Sequence, residues 1–167
     1  MSPPFALEPL NPGHDRAVFS CGQEALDRYL RMQASQDAKR RMAACFVAVE
    51  AATGRIAGYY TLSSAGIPVT ELPSDVTKKL PRYPSIPAVR IGRLAVDLGF
   101  RGRGLGGALL ADALRRVLDS APATFALLVD AKDESAVAFY RHHGFLVLAS
   151  QARTMFLPIS VARRTLL

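Results

Sequence analysis

An apolar segment over residues 88–96 runs into the glycine-rich sequence Arg101-Gly102-Arg103-Gly104-Leu105-Gly106, which opens a long run of helical periodicity. This order predicts a buried strand, a tight turn and a helix. Glycines let the main chain adopt positive φ and approach a ligand with no Cβ in between. The first amides of a helix have no acceptor within it, and with the positive helix end they favour an anion. The segment therefore indicates a binding site for a phosphate-bearing cofactor.

The helix after the turn carries an apolar stripe, which predicts that one face packs on a sheet. The stripe recurs at four-residue steps and is widened by neighbouring leucines: Leu105, Leu109, Ala113, Val117, Leu110, Leu114 and Leu118. The spacing G-x-G-x-G differs from the dinucleotide-binding G-x-G-x-x-G, and no Gly-Lys followed by Ser or Thr forms a Walker loop. The alternative for these glycines is a strand-to-helix turn that binds no ligand.

Length and charge bound the possible functions. Half of the 167 residues are apolar, which suffices for one core and predicts a single domain over residues 1–167. The 21 Lys and Arg exceed the 14 Asp and Glu, so the net charge is +7 and the pI is near 9.9. Such a field attracts nucleic acid or a phosphorylated cofactor, and a basic surface that only aids solubility is the alternative.

Cysteine usage and hydropathy predict a cytoplasmic protein with no membrane segment. Cys21 and Cys45 fit no metal or C-x-x-C spacing, and Cys45 lies in an apolar run, as a buried thiol would. No histidine pair or carboxylate cluster has metal-ligand spacing, so no metal is expected. No basic leader precedes an apolar run, and no segment approaches the roughly 18 apolar residues of a membrane span. Free thiols are expected to stay reduced in the cytoplasm.

Periodicity and turn residues predict alternating strands and helices in the order β-α-β-β-β-α-β-α-β-β. This order predicts an α/β fold with a mixed sheet flanked by helices and a ligand at the strand ends. Asp133 is placed to cap one helix, and Gly144 is placed to end it in a left-handed conformation. A proline-rich loop covers residues 68–87, with a short helix at 74–80. The predicted strands are 5–10, 43–50, 55–67, 88–96, 125–130, 145–149 and 154–159, and the other helices are 23–41, the segment after the glycine turn, and 134–143.

Two motifs resemble the signature regions of GNAT-type N-acetyltransferases: the turn R-x-x-G-x-G and the sequence Asp133-Glu134-Ser135-Ala136-Val137-Ala138-Phe139-Tyr140-Arg141-His142-His143-Gly144-Phe145. The resemblance implies a GNAT-like fold that binds acetyl-CoA. It also implies that Tyr140 lies by the thioester sulfur and protonates the departing thiolate, whereas core packing alone is the alternative for Tyr140. Asp133 stands where relatives often have asparagine. The expected cofactor-binding residues are Leu94, Ala95, Val96, Arg101, Gly102, Arg103, Gly104, Leu105, Gly106, Asp133, Ala136 and Phe139.

The expected mechanism is direct transfer of the acetyl group within a ternary complex. The amides of Leu94 and Val96 would hold the acyl and pantetheine arm, and the amides of the glycine turn would hold the pyrophosphate. The substrate amine attacks the thioester carbonyl, and a backbone amide stabilises the oxyanion. A phenol with a pKa of about 10 is a suitable proton donor to a thiolate whose conjugate acid has a pKa of about 8.5.

The rest of the chain narrows the resemblance to the GNAT toxins of bacterial type II toxin-antitoxin pairs. The similar segments include His14-Asp15-Arg16, Phe19-Ser20-Cys21-Gly22, Leu26-Asp27-Arg28-Tyr29-Leu30 and Leu80-Pro81-Arg82-Tyr83-Pro84. The resemblance implies acetylation of the α-amine of aminoacyl-tRNA, which blocks translation, and neutralisation by a ribbon-helix-helix antitoxin. Relatives also suggest a homodimer. An α-amine with a pKa of about 7.7–8.0 is partly neutral at cellular pH, which suits a chain with no evident carboxylate base.

Basic side chains are expected to contact tRNA phosphates. Arg93 is expected to face the acceptor end, but strand alternation leaves its face open, so a structural arginine is the alternative. The alternative explanation for the basic triplet at residues 39–41 is that cations are favoured near the C-terminus of a helix. His142 and His143 are expected to cap a helix end, where its dipole favours imidazolium, rather than to act in catalysis. The tRNA-binding candidates are Arg93, Arg90, Lys39, Arg40, Arg41, Lys78, Lys79 and Arg82.

Two other functions stay open at this level. One is an acetyltransferase that acts on a small amine or a protein lysine. The other is a non-catalytic module that keeps the fold and binds RNA or a protein partner.

Overall fold

The computed structural model describes residues 4–167. Its seven strands form a mixed sheet in the order β1-β2-β3-β4-β5-β7-β6, which confirms the predicted α/β class. In chain order the strands and α-helices are β1 (Phe5–Pro9), α1 (Glu24–Met32), α2 (Ala34–Lys39), β2 (Ala44–Glu50), β3 (Ile56–Pro68), α3 (Ser74–Thr77), β4 (Ser85–Val96), α4 (Leu105–Asp119), β5 (Ala126–Asp130), α5 (Glu134–His142), β6 (Leu146–Val147), β7 (Thr154–Pro158) and α6 (Ile159–Leu166).

The described chain forms two compact units. The first contains the described residues up to Ser63 together with Gly92–Ala113, and the second contains Ser64–Ile91 and Leu114–Leu167. Both units therefore take residues from β3, β4 and α4. That residues 1–167 act as one domain stays a prediction.

The first unit is built on an antiparallel meander. β1 pairs with β2, and β2 pairs with β3, in a register that sets Cys45 opposite Thr61. Apolar side chains from α1, α2 and these strands fill one core: Phe19, Cys21, Tyr29, Leu30, Ala34, Cys45, Val47, Ile56, Tyr59 and Ala95. Burial of this many apolar groups is the main force that holds α1 and α2 on the strands.

The second unit contains the parallel part of the sheet. The first half of β4 pairs in parallel with β5, from Ala88 opposite Ala126 to Ile91 opposite Val129. β7 then pairs antiparallel with β5, and the short β6 pairs with β7. Its core contains Ile67, Leu72, Ile86, Ala88, Ala126, Leu128, Leu148 and Phe156.

Several boundaries differ from the sequence predictions, and the short helix expected at 74–80 ends at Thr77. The helix expected over 23–41 is interrupted at Gln33, whose ψ of −28° and φ of −126° leave the helical region, so two helices form. Ala34 is fully buried and the Tyr29 hydroxyl bonds to Asp37, which are tertiary contacts that no local residue signals. The strand expected at 145–149 shrinks to Leu146–Val147. β4 begins at Ser85, three residues earlier than expected, despite Pro87.

The C-terminal helix α6 was missed by the sequence analysis. It begins directly after Pro158 and buries Ala162 as its one fully covered side chain. The segment is amphipathic but has only eight residues, too few for periodicity alone to identify a helix, which explains the omission. Among the described residues, no helix has the length and apolar character needed to cross a membrane.

Candidate functional site

The glycine turn has the conformation that its sequence predicts. Gly102 and Gly104 adopt φ values of +78° and +74°, and a Cβ added at either position would meet no atom within 4 Å. The backbone there faces open space. α4 begins at Leu105, and the Ala108 amide donates to the Gly104 carbonyl at 3.1 Å. The amides of Leu105, Gly106 and the next residue thus have no helical acceptor and are placed to bind an anion.

The two arginines of this turn have different surroundings. The Arg101 guanidinium donates a hydrogen bond of 2.7 Å to the Cys21 carbonyl, so its side chain anchors the turn. The Arg103 guanidinium is half exposed and lies 5.2 Å from the centroid of the Phe100 ring, 4.0 Å from a Glu50 carboxylate oxygen. An ion pair of that length and exposure is weak. The guanidinium of Arg103 therefore provides a weakly paired positive charge beside the glycine turn.

Asp97 fixes the backbone between β4 and the turn. Its buried carboxylate accepts hydrogen bonds from the amides of Ser20 (2.9 Å) and Gly99 (2.8 Å). Its own amide donates to the Ala57 carbonyl at 2.8 Å. No role for Asp97 was predicted from the sequence, although an Asp two residues before Gly99 is a recognisable turn-capping signal.

A close backbone approach also holds the end of β4. A Cβ at Gly58 would lie 2.9 Å from the Ala95 carbonyl oxygen and 3.2 Å from Leu109, so only glycine lets β3 come this near. Ala95 lies between the predicted cofactor ligands Leu94 and Val96. The stretch expected to hold the acyl arm is therefore rigidly placed within the first unit.

Arg93 faces a large pocket formed with α1 and α2. Its guanidinium carbon lies 3.6 Å from the centroid of the Tyr29 ring, which is cation–π contact. The Tyr29 hydroxyl donates to Asp37 at 2.7 Å, and burial followed by this hydrogen bond raises the pKa of Tyr29. The pocket has a volume of about 670 Å³ and is also lined by Arg28, Arg40 and Met32.

The contact between Arg93 and Tyr29 shows which face of β4 the Arg93 side chain occupies, which strand alternation in the sequence had left undecided. No functional role for Tyr29, Asp37 or Arg28 was predicted from the sequence. A pocket of this size lies within the range of about 300–1,000 Å³ typical of ligand sites. Its lining contains three arginines and two acids, Glu24 and Asp37, so the net charge is positive and suits an anionic ligand.

The start of α5 is capped as predicted. The Asp133 carboxylate accepts a hydrogen bond of 2.8 Å from the Ala136 amide, so both groups are engaged with each other. Such a cap is worth about 1 kcal/mol. Gly144 follows the helix with a φ of +95°, which confirms the left-handed position. The geometry gives Asp133 a capping role, and contact of Asp133 or Ala136 with a cofactor stays a prediction.

Tyr140 has a buried ring and an available hydroxyl. The residue is 6% exposed, and its ring packs edge-on against Phe139 and Phe145 at centroid distances of 5.2 and 5.3 Å. No described residue forms a hydrogen bond with its hydroxyl, which the described chain does not enclose completely. Burial, with the charge of Asp130, raises the pKa of Tyr140, which keeps it protonated.

The prediction that the dipole favours imidazolium at the end of α5 was wrong for His143. Burial, followed by the neighbouring His142, lowers the pKa of His143, because both disfavour the charged ring. Its ring lies 4.8 Å from that of Phe139. His143 therefore ends the helix as a packed neutral ring. His14, to which the sequence assigned no partner, lies 2.6 Å from Glu8.

Among the remaining basic candidates, Arg40 lines the same pocket as Arg93, and the others lie outside that lining. Arg90 forms an ion pair with Asp130 within the second unit. Lys39, Arg40 and Arg41 are exposed at the end of α2, and Arg41 has a φ of +58°. Lys78, Lys79 and Arg82 are exposed around and after α3. Whether any of them contacts tRNA stays a prediction.

Known proteins match nearly the whole chain. Residues 20–156 match the family described as acetyltransferase (GNAT) domain. The chain is 33% identical over 167 residues to the probable toxin TacT of Sinorhizobium fredii (strain NBRC 101917 / NGR234), covering 94% of this chain and 92% of that protein. It is 33% identical over 156 residues to a tRNA-acetylating toxin of Mycobacterium tuberculosis (strain ATCC 25618 / H37Rv), covering 92% of each.

Solved structures show the same fold. AtaT complexed with acetyl-methionyl-tRNAfMet has a TM-score of 0.88 and 29% identity, covering 96% of this chain and 98% of that chain. AtaTR bound with AcCoA has a TM-score of 0.83 and 28% identity, covering 96% of each. A tyrosine-to-phenylalanine mutant of AtaT bound to the C-terminus of the antitoxin AtaR has a TM-score of 0.82 and 25% identity, covering 97% and 98%.

Proposed function

The chain belongs to the GNAT acetyltransferase family, and we propose that it transfers the acetyl group of acetyl-CoA to the α-amine of aminoacyl-tRNA. The observation that carries this proposal lies within the first unit. There Arg93, immediately before the expected acyl-arm ligand Leu94 in β4, faces a pocket that contains two further arginines. A polyanionic substrate thereby has a binding site next to the strand that holds the acyl arm.

The residues around the glycine turn fit acetyl-CoA. Open space at Gly102 and Gly104, free first-turn amides and the cation of Arg103 suit a pyrophosphate. Acetyl-CoA supplies an activated acyl group and a thiolate leaving group. We assign the pyrophosphate to the amides of residues 101–106, and the acyl and pantetheine arm to the amides of Leu94 and Val96. The AcCoA-bound AtaTR structure supports this assignment of the cofactor.

The chemistry requires one nucleophile and one proton donor. The neutral α-amine attacks the thioester carbonyl, the C–N bond forms, and the C–S bond then breaks. The amine loses a proton to water, and Tyr140 gives its hydroxyl proton to the thiolate and is reprotonated from water. The products are N-acetyl-aminoacyl-tRNA and CoA. Because an α-amine has a pKa of about 7.7–8.0, no strong base is needed.

The consequences for the cell follow from the substrate. An acetylated α-amine cannot accept a peptide, so transfer blocks translation, and the enzyme would act in the cytoplasm where charged tRNA is found. Neutralisation by a ribbon-helix-helix antitoxin is part of the proposal, and it is supported by the AtaT structure that holds the C-terminus of AtaR. A homodimer is also proposed, on the strength of the resemblance.

A substrate competition tests the proposal. Purified protein is incubated with radiolabelled acetyl-CoA and charged tRNA, uncharged tRNA, a polyamine or a lysine-containing peptide. Label is expected on charged tRNA alone, and alkaline hydrolysis should release it as N-acetyl amino acid. Label on the polyamine or the peptide in preference to charged tRNA would assign the enzyme to the small-amine or protein-lysine class instead. Absence of CoA release with any amine would indicate a binding module.

A further inference from the structure

A second pocket lies in the second unit, on the segment between β3 and β4. It has a volume of about 420 Å³ and is lined by Val69, Thr77, Lys78, Leu80, Pro81, Arg82, Tyr83 and Pro84. We call it the Tyr83 pocket. Tyr83 is 61% exposed, and no described aromatic ring or hydrogen-bond partner covers its side chain. The ring therefore lies open to solvent at the edge of the pocket, where a planar ligand can reach it.

The loop that displays Tyr83 is held in shape before any ligand arrives. The Val69 amide donates to the Pro84 carbonyl at 3.0 Å, and the Tyr83 amide donates to the Pro81 carbonyl at 2.9 Å. Val69 and Leu80 also pack against the core of the second unit. Prolines on both sides of Tyr83 restrict the backbone further. A preformed loop loses little conformational entropy on binding.

The charge around this pocket is positive. Lys78, Lys79 and Arg82 are exposed, and none of them forms an ion pair with another described residue. Residues 69–84 contain two acidic side chains. One of them, Glu71, accepts hydrogen bonds from the amide and the hydroxyl of Ser150, at 2.9 and 2.5 Å. Two of these cations, Lys78 and Arg82, line the pocket together with the exposed ring.

We propose that the Tyr83 pocket binds an unpaired nucleotide of the charged tRNA. The base stacks on the Tyr83 ring, and the flanking phosphates pair with Lys78 and Arg82. Unpaired RNA bases stack on aromatic side chains, and a ring with neighbouring cations is the usual arrangement for single-stranded nucleic acid. This inference rests on the proposed function, since it concerns the same substrate. An acidic protein segment is the competing occupant.

The test compares Tyr83→Leu with Tyr83→Phe. Leucine removes the ring, whereas phenylalanine keeps the stacking surface and removes only the hydroxyl. We expect Tyr83→Leu to raise the KM for charged tRNA by roughly tenfold and Tyr83→Phe to change it by less than about twofold. The affinity for acetyl-CoA, measured by calorimetry, should stay unchanged in both. Because Tyr83 is exposed, both variants should fold.

The phosphate contacts are tested by salt dependence. Lys78→Ala and Arg82→Ala should each reduce the slope of log affinity against log salt concentration by about one in an anisotropy titration with uncharged tRNA. The exposed Arg115 of α4 serves as a charge-matched control, and Arg115→Ala should leave this slope at the parent value.

The two proposals fail in different ways. If the parent protein acetylates charged tRNA but Tyr83→Leu has the parent KM, the inference is wrong and the proposed function stands. If the parent releases CoA with other amines and does not bind tRNA, both are wrong. If Tyr83→Leu weakens binding of the cognate antitoxin while its KM for charged tRNA is unchanged, the pocket belongs to a protein partner and the inference is overturned.

Discussion

Arg93 of β4 and Tyr29 of α1 are joined by a cation–π contact of 3.6 Å between guanidinium carbon and ring centroid. The same ring is held from its other end by the hydrogen bond from its hydroxyl to Asp37 of α2. One arginine is thus positioned by both helices that line the pocket. A planar guanidinium stacks on such a ring and still presents its N–H groups at the edge, which an ammonium cannot do.

Replacement of Arg93 should impair use of charged tRNA. We expect Arg93→Gln to raise the KM for charged tRNA by tenfold or more, about 1.4 kcal/mol, because a phosphate contact is lost. Arg93→Lys should recover only part of this loss, since it keeps the charge and loses the stacked fork. Steady-state kinetics with varied charged tRNA provide the measurement.

Arg163→Gln is the matched control for this prediction. Arg163 lies on α6, is exposed, forms no ion pair with another described residue and does not line the pocket. Its replacement removes the same charge and should leave the KM for charged tRNA near the parent value. An equal rise in both variants would mean that general charge, and not the pocket, governs binding.

Tyr140 is expected to act in the chemical step. Tyr140→Phe keeps the packed ring and removes the proton donor, so turnover should fall by roughly 100-fold while acetyl-CoA binding stays nearly intact. Because the pKa of Tyr140 is raised above its ordinary value of 10.0, the parent should show no alkaline loss of turnover up to pH 9.5 from this group. Single-turnover rates measure the step, and parent-like turnover in Tyr140→Phe would leave the residue a packing role.

Local signals in the sequence identified the elements that depend on backbone conformation. The glycine turn, the Asp133 cap and the left-handed Gly144 were all predictable, because each is decided by residues within three or four positions. The interruption at Gln33 was not predictable, since no glycine or proline marks it and burial of Ala34 decides it. The extent of β6 was equally inaccessible, because pairing with β7 sets it.

In the candidate site, too, locally determined features could be predicted from the sequence and contacts between distant residues could not. Contact of Arg93 with the substrate is predicted from its strand beside the glycine turn and stays a prediction. The face that Arg93 occupies could not be predicted, because strand periodicity is weak where both faces are covered. The anchoring of Arg101 on the Cys21 carbonyl and the bond between Tyr29 and Asp37 join residues through the fold. Such pairs carry no mark in a single sequence.

The buried thiol of Cys45 should make stability fall at alkaline pH. Burial raises the pKa of Cys45 to about 12 from its ordinary value of 9.0. Above pH 9 the unfolded chain therefore releases this proton while the folded chain keeps it, which favours unfolding. The thiol's contribution is present below pH 9, and by pH 10 the free energy of unfolding should have dropped by about 1.4 kcal/mol.

Urea unfolding at intervals from pH 8 to pH 10 measures this loss. Cys45→Ala should show a shallower decline than the parent, although its stability at pH 8 is lower because a buried group is missing. Val47→Ala on the same strand truncates another buried side chain without a titrating group, so it should keep the parent's pH slope. Identical slopes in the parent and Cys45→Ala would exclude the thiol as the source.

Gly104 and Gly54 provide a matched test of the glycine turn. Both have positive φ, +74° and +75°, and a Cβ at either would meet nothing within 4 Å, so alanine should cost each about 1 kcal/mol of folding stability. Gly54 lies in the hairpin between β2 and β3, away from the turn residues expected to hold the pyrophosphate. Gly104→Ala should therefore weaken acetyl-CoA binding at least tenfold, about 1.4 kcal/mol, because the methyl group occupies the ligand's approach. Gly54→Ala should keep the parent affinity, and calorimetric titration of both variants at a temperature where each is folded separates ligand contact from backbone strain. Equal affinities would show that the main chain at Gly104 does not approach the cofactor.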